Sequence, residues 1–217
     1  MRIGLINIGL IDEFLANDTL GKVDVLLLSF LNHEVCYETE LDGKSHIFEK
    51  IALLSKIKEC VTICGAITNT CGHRRKSAII AQEGKLLGVA DMLNVIDGNI
   101  GSGGMIKVYE TKCGRLGVAV ADDLRFPDFL KTLSLSGSDC IFCPFENGVE
   151  NIDFLVRAGA YYFGVPIAFC GKGLSMVVNS AGDVVCKTQQ KISVTDLEIK
   201  KEYHLIEYRQ RMSVKNK

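Results

Sequence analysis

The chain has 217 residues, of which 47% are hydrophobic, and its 25 Lys and Arg side chains nearly balance its 26 Asp and Glu, giving a formal net charge of −1 at pH 7. This length and apolar content can bury a substantial core, so one domain spanning residues 1–217 is expected. The balanced charge argues against binding to nucleic acid or to an anionic membrane surface. No apolar run is long enough to span a membrane, and no cleavage site follows the first one, so a cytoplasmic protein is expected.

Apolar runs bounded by polar turns predict strands alternating with a few helices. In chain order, the predicted strands are Arg2–Asn7, Val23–Leu28, Val61–Thr68, Ser77–Gln82, Leu86–Met92, Ile106–Thr111, Leu116–Ala121, Cys140–Pro144, Pro166–Cys170, Met176–Asn179, Val184–Lys187 and Lys191–Asp196. The predicted helices are Asp12–Leu20, His46–Cys60, a segment from Phe126 to Gly137, Asn151–Phe163 and Lys200–Arg211. Residues 72–76 are predicted to form a basic loop, and the glycine-rich residues 98–104 a flexible connector over a pocket.

The predicted strand at Leu116–Ala121 ends abruptly in a charged turn. Asp122, Asp123 and Arg125 follow it directly, and a helical pattern then opens at Pro127. A buried strand that enters a helix through a tight polar turn is a common place for chemistry in α/β proteins. The same acids would also complement a helix dipole, with Arg125 paired to one of them. The residues of this turn alone leave both interpretations open.

The segment from Gly117 to Pro127 resembles the nucleophile segment of the nitrilase superfamily, the carbon-nitrogen hydrolases. Family members typically have Cys-Tyr-Asp-x-Arg-Phe-Pro here, and this chain keeps the Asp, Arg, Phe and Pro. It has Ala121 in the place of the cysteine and Asp122 in the place of the aromatic residue. Further similar segments are the turn at residues 83–85, the strand ending at Pro144, and the helix containing Arg157 and Ala158. The resemblance covers essentially the whole chain and implies the α/β fold of that family, an α-β-β-α four-layer sandwich.

The resemblance also implies where a catalytic triad would lie. Family members hydrolyse amide or nitrile bonds with a cysteine thiolate, a glutamate base and a lysine that stabilises the tetrahedral intermediate. The corresponding places for glutamate, lysine and cysteine fall on Phe30, Met92 and Ala121. If this alignment is right, the three side chains should meet in space. None of them can perform the chemistry of the residue it replaces.

Two functions from different classes follow. The first is a nitrilase-fold protein that has lost cysteine-dependent hydrolysis and acts as a binding or scaffold protein, with an unidentified small-molecule ligand or protein partner. The alternative is an amide hydrolase with a relocated site, built from Glu34, Asp122, Asp123 or Glu146. The sequence offers no spacing of metal ligands and no phosphate-binding loop, so no metal and no cofactor are expected.

The nine cysteines are expected to be mostly small buried hydrophobes, since six of them lie within apolar runs: Cys60, Cys64, Cys140, Cys143, Cys170 and Cys186. Their odd number argues against a complete disulfide framework. Cys140 and Cys143 form a Cys-x-x-Cys, which would suit a redox pair or part of a zinc site if exposed. The intervening Ile and Phe favour a buried strand instead.

Two further expectations concern contacts. The resemblance implies a homodimer that packs the helix after the nucleophile segment and the Arg-Ala helix across a two-fold axis, with Phe129, Leu133, Tyr161 and Phe163 available for the contact. Arg125 is expected to pair with Asp123 or Asp128, because a lone buried guanidinium is costly.

Overall fold

The computed structural model describes residues 1–7, 11, 20–96, 98–147 and 151–200. In chain order, the strands are β1 (Arg2–Ile6), β2 (Val25–Phe30), β3 (Val35–Cys36), β4 (Val61–Thr70), β5 (His73–Gln82), β6 (Lys85–Asp91), β7 (Val108–Thr111), β8 (Gly114–Val118), β9 (Cys140–Asn147), β10 (Ile167–Lys172), β11 (Leu174–Val178), β12 (Val184–Thr188) and β13 (Ile192–Asp196). The helices are α1 (Tyr37–Leu41), α2 (Ile47–Ile57), α3 (Pro127–Leu135) and α4 (Ile152–Phe163), and a 3-10 turn spans Ala121–Arg125. The helices predicted over Asp12–Leu20 and Lys200–Arg211 fall almost entirely outside the described residues.

The strands form two sheets of mixed direction. The first has the order β13-β1-β2-β4-β5-β6, with β3 also paired to β4, and the second has the order β12-β11-β10-β9-β8-β7. In the first sheet β1, β2 and β4 are parallel, and in the second β8, β9 and β10 are parallel. The carboxyl ends of these parallel strands form the edge at which α/β proteins usually place their sites.

Side chains that alternate along each strand define four layers. In β2, Leu27 faces a core shared with the second sheet, which includes Phe142, whereas Leu28 faces the other way and belongs to a cluster with Ile51 and Leu54 of α2. The other face of the second sheet is covered by α3 and α4, whose buried side chains belong to the first core. The predicted α-β-β-α sandwich is therefore confirmed.

The helices α3 and α4 pack closely against each other and against the second sheet. A Cβ atom at Gly159 would lie 2.7 Å from Leu130 Cδ1, so the absence of a side chain there permits the close helix contact. Phe129 and Leu133 of α3 are buried. The prediction that these two side chains are available for a dimer contact is wrong, because both lie on the stripe of α3 that faces the protein interior.

Three boundaries differ from the sequence prediction in an informative way. Residues 73–76, predicted as part of a loop, open β5, and the hairpin turns at Cys71 and Gly72 instead. β2 continues to Phe30 through a β-bulge. The strand β8 ends at Val118, although the Ala119 amide still donates a hydrogen bond to the Phe142 carbonyl at 3.0 Å.

Among the described residues, no helix combines the length and the apolar character that a membrane crossing requires.

Candidate functional site

The turn after β8 holds Ala121 in an unusual backbone conformation. Its φ is +47°, in the left-handed region that costs an L-residue about 1–2 kcal/mol. The residue is buried and begins the 3-10 turn that leads into α3. Sharp strand-to-helix turns of this kind present a side chain at the end of a sheet. Here the side chain presented is a methyl group.

Phe30 and Met92, the other two residues at the predicted triad places, are also buried, and all three belong to the same hydrophobic cluster. The bulge in β2 turns Phe30 inward beside Gly65, where an added Cβ would lie 2.5 Å from Phe30 Cδ2. Met92 follows β6, and its amide donates a hydrogen bond to the Lys76 carbonyl at 2.8 Å. Both side chains therefore contribute apolar volume at the carboxyl edge of the sheets.

Asp123 is fully buried and holds the turn to the loop after β6. Its carboxylate accepts hydrogen bonds from the Leu93 amide at 3.1 Å, the Asn94 amide at 2.8 Å and the Asn94 side-chain amide at 2.8 Å. Desolvation raises the pKa of this carboxyl group, and the hydrogen bonds from Asn94 and Leu93 oppose that rise. Because its oxygens already accept hydrogen bonds from Leu93 and Asn94, Asp123 has a structural role.

Arg125 pairs with Asp122, and the predicted pairing with Asp123 or Asp128 is wrong. Arg125 Nε lies 2.8 Å from Asp122 Oδ1, three residues earlier in the same turn. Asp123 points into the protein to meet the backbone amides of residues 93 and 94 and cannot serve the guanidinium as well. The Arg125 side chain is 35% exposed, so this ion pair lies at the rim of the site.

Lys76 is a site residue that the sequence prediction missed. Its Nζ lies 3.1 Å from Glu146 Oε2 and 3.8 Å from Asp122 Oδ2, and its side chain is only 15% exposed. The available signal was strand periodicity, because Lys76 precedes the core residues Ala78 and Ile80 by two and four positions and so faces the same space between the sheets. A linked set of two cations and two carboxylates, Lys76, Arg125, Asp122 and Glu146, thus lies beside Ala121. We call this set the ionic cluster.

Glu34, the other candidate carboxylate, is engaged in its own contacts at the same end of the sheet. It accepts a hydrogen bond from Arg74 Nε at 2.7 Å and another from the side-chain amide of Asn69. Arg75, on the opposite face of β5, lies 3.9 Å from Asp91. Each basic residue of the segment 74–76 therefore faces a carboxylate, which explains how this charged run continues a strand.

The glycine-rich residues 98–104 lie across the ends of β5 and β6. The Gly101 amide donates to the Arg74 carbonyl at 2.7 Å, and the Gly103 amide donates to the Met92 carbonyl at 2.8 Å. A Cβ at Gly103 would lie 2.8 Å from Asp91 Cβ, so glycine is needed for this approach. The segment is hydrogen-bonded beside the site, whereas the sequence predicted a flexible connector.

The cysteines give no exposed nucleophile at this turn. Cys140 and Cys143 are fully buried in β9, as predicted, and burial raises the pKa of both thiols far above the usual range. Cys143 Sγ lies 3.9 Å from the Ala121 carbonyl oxygen, so a thiol is close to the turn but is shielded from water. Cys186, predicted to be buried, is partly exposed on β12. In the part of the chain that is described, no three His, Cys, Asp or Glu residues form a group suited to a metal ion.

The sequence profile of the carbon-nitrogen hydrolase family matches residues 36–204, so the chain belongs to that family. No curated protein sequence matches it.

Solved structures of the nitrilase superfamily share the fold over nearly their whole length. A Cys-to-Ala variant of an amidase from Nesterenkonia AN1 is 18% identical with a TM-score of 0.78, and the match covers 100% of this chain and 96% of that one. Nit3 from Saccharomyces cerevisiae is 17% identical with a TM-score of 0.75, covering 97% and 93%. A carbon-nitrogen hydrolase from Helicobacter pylori is 16% identical with a TM-score of 0.75, covering 97% and 92%.

Proposed function

We propose that this protein is a member of the carbon-nitrogen hydrolase family that has lost cysteine-dependent hydrolysis of amides and nitriles and acts as a cytoplasmic, non-catalytic binding or scaffold protein. The observation that carries the proposal is Ala121 at the left-handed turn after β8. A methyl group at this position has no lone pair to attack a carbonyl or nitrile carbon. Without a nucleophile the covalent route is unavailable.

The surroundings of Ala121 support the same conclusion. Phe30 and Met92 are apolar and buried in the adjoining core, so neither can abstract a proton or polarise a developing oxyanion. Cys143 is near, but its raised pKa leaves almost no thiolate at neutral pH. Asp123 has its oxygens occupied by three amide donors.

The ionic cluster gives the site a closed, charge-balanced rim. Lys76 lies against Glu146 and Asp122, and Arg125 lies against Asp122, so two positive groups face two negative ones. Such a set satisfies its own charges and holds β5, β9 and the turn at fixed spacing. This arrangement suits a scaffold whose former pocket is filled by side chains.

The test is a hydrolysis screen of the purified protein against small aliphatic amides and nitriles, with iodoacetamide-treated protein in parallel. No thiol-dependent turnover is expected. Turnover that iodoacetamide abolishes would overturn the proposal. A non-catalytic protein should still bind a ligand or a partner, which fragment screening by NMR of the same sample would detect.

One observation favours the alternative of a relocated amide hydrolase site. The Lys76 amine and two carboxylates converge within 4 Å beside the strained turn, and such convergence of titratable groups is typical of catalytic sites. In that case turnover would resist iodoacetamide and would be abolished by Lys76→Met and by Glu146→Gln. Lys44→Met, which removes an exposed lysine paired with Asp42 at 2.9 Å, is the matched control and should leave turnover unchanged.

A further inference from the structure

A second cluster of reactive groups lies outside this site, where the β4–β5 hairpin meets α1. Cys36 Sγ lies 2.9 Å from Glu38 Oε2, and Cys71 Sγ lies 3.2 Å from Glu38 Oε1. One carboxylate therefore accepts a hydrogen bond from a thiol on each of its oxygens. The Cys71 backbone amide donates a further hydrogen bond to Glu38 Oε1 at 2.7 Å.

Solvent access separates these two thiols from the five buried ones. Cys71 is exposed and Cys36 is partly exposed, whereas Cys60, Cys64, Cys140, Cys143 and Cys170 are all buried. Cys113 and Cys186 are also partly exposed, but Cys113 donates to the Asp24 carbonyl at 3.3 Å, next to the amino end of β2, and Cys186 lies on β12. The pair at Glu38 thus brings together two accessible thiols that are 35 residues apart in sequence.

The backbone supports a close approach of the two cysteines. β3 pairs with β4 so that Cys36 is opposite Asn69, and Cys71 follows only two residues later at the hairpin turn. Cys71 has a φ of +49° and Gly72 a φ of +81°, the conformation of a tight hairpin turn that directs the chain straight back into β5. The two side chains therefore leave neighbouring strands toward the same carboxylate.

We propose that Cys36 and Cys71 are an oxidisable dithiol that a hydroperoxide converts to an intramolecular disulfide. Cys71, the more exposed of the two, attacks a peroxide oxygen, which gives its sulfenic acid and releases one water from hydrogen peroxide. The Cys36 sulfur then displaces the sulfenic oxygen, which leaves as a second water. The two sulfurs lose two electrons that the peroxide gains, and the two thiol hydrogens leave in the waters.

Glu38 controls how readily this happens. Its two thiol donors, Cys36 first, together with backbone amides, lower the Glu38 pKa to about 2, so the group is a carboxylate at neutral pH. The hydrogen bond between Cys71 and Glu38, together with the negative charge of Glu38, raises the pKa of the Cys71 thiol. Since the thiolate is the nucleophile, Glu38 slows the attack of Cys71 on a peroxide.

The disulfide would link the segment that carries Glu34 to the hairpin that carries Arg74 and Lys76. Glu34 lies two residues before Cys36 and already contacts Arg74 across the same gap. A covalent link here would fix the rim of the candidate site on its β3 side.

The experiment treats the reduced full-length protein with a few equivalents of hydrogen peroxide. The expected result is a loss of two hydrogen atoms in the intact mass, a peptide map joining Cys36 to Cys71, and full reversal by dithiothreitol. Cys36→Ser and Cys71→Ser should abolish the link, whereas Cys113→Ser and Cys186→Ser should keep it. A map that joins other cysteines, or oxidation of Cys71 that leaves Cys36 free, would overturn the proposal.

A second variant tests the role given to Glu38. Glu38→Gln keeps the size of the side chain but removes the charge that raises the Cys71 pKa, so peroxide should form the same disulfide several-fold faster. An unchanged or slower rate would show that the carboxylate does not protect the pair.

Discussion

The left-handed backbone at Ala121 is the least favourable local feature of the site, and glycine should relieve it. Glycine adopts a φ of +47° without steric cost, so Ala121→Gly is expected to raise the free energy of unfolding by about 1 kcal/mol. Ala119→Gly is the matched control, because Ala119 is buried two residues earlier without a positive φ and should lose stability instead. Urea unfolding of both variants measures the difference. Equal destabilisation would mean that the turn is not strained.

Asp123 and Arg125 should differ sharply in their contribution to stability. Asp123→Ala leaves the partly buried amides of Leu93 and Asn94 without an acceptor, which is expected to cost about 2–4 kcal/mol. Arg125→Leu removes one partly exposed ion pair while Asp122 keeps Lys76 nearby, so its cost should not exceed about 1 kcal/mol. Chemical denaturation of the two variants decides this. A larger loss of unfolding free energy for Arg125→Leu would show that the ionic cluster is less solvated than its exposure indicates.

At the scale of elements, the places assigned to the triad can be tested by coupling the ends of β2 and β6. Phe30→Glu or Met92→Lys alone puts an unpaired charge into the apolar core and should cost several kcal/mol. If the two side chains are neighbours, the double variant should recover about 1–3 kcal/mol through the new ion pair. A double-mutant cycle by urea unfolding measures this coupling energy. Additivity within about 0.5 kcal/mol would place the two residues apart and would make Glu34 the next candidate for the place of the family glutamate.

Elements with a strong apolar pattern were predictable, and those held by charge were not. The strands around Leu27, Ile63 and Ile141 are buried on one or both faces, so their hydrophobic periodicity defines them. Strand periodicity could have placed Lys76 between the sheets, but its pairing with Asp122 and Glu146 was not predictable, because no local pattern encodes a partner 46 or 70 residues away. The short elements β3 and α1 also make contacts with residues distant in sequence. β3 pairs with β4, and Glu38 of α1 accepts a hydrogen bond from the Cys71 amide. The family motif located Ala121 but carried no information about which acid would face Arg125.

At the scale of the whole molecule, we predict a homodimer formed through α3 and α4. The exposed apolar side chains on this side are Leu135, Phe154 at 68% exposure, Tyr161 and Tyr162 at 61% exposure. Phe154→Asp combined with Tyr162→Lys should give a monomer by light scattering at micromolar concentration, since charges at the centre of an apolar contact are strongly unfavourable. Leu41→Lys, on the helix layer of the other sheet, should leave the mass unchanged. A monomeric parent protein would count against the prediction.

The hydrogen bonds of the glycine-rich segment have a kinetic consequence. The Gly101 and Gly103 amides are hydrogen-bonded to the carbonyls of Arg74 and Met92, so each amide proton can exchange with solvent only when its own bond opens. Amide hydrogen exchange reports that opening directly, and both protons should exchange much more slowly than those of an unstructured glycine linker. Fast exchange of either proton would show that the segment opens readily despite these bonds.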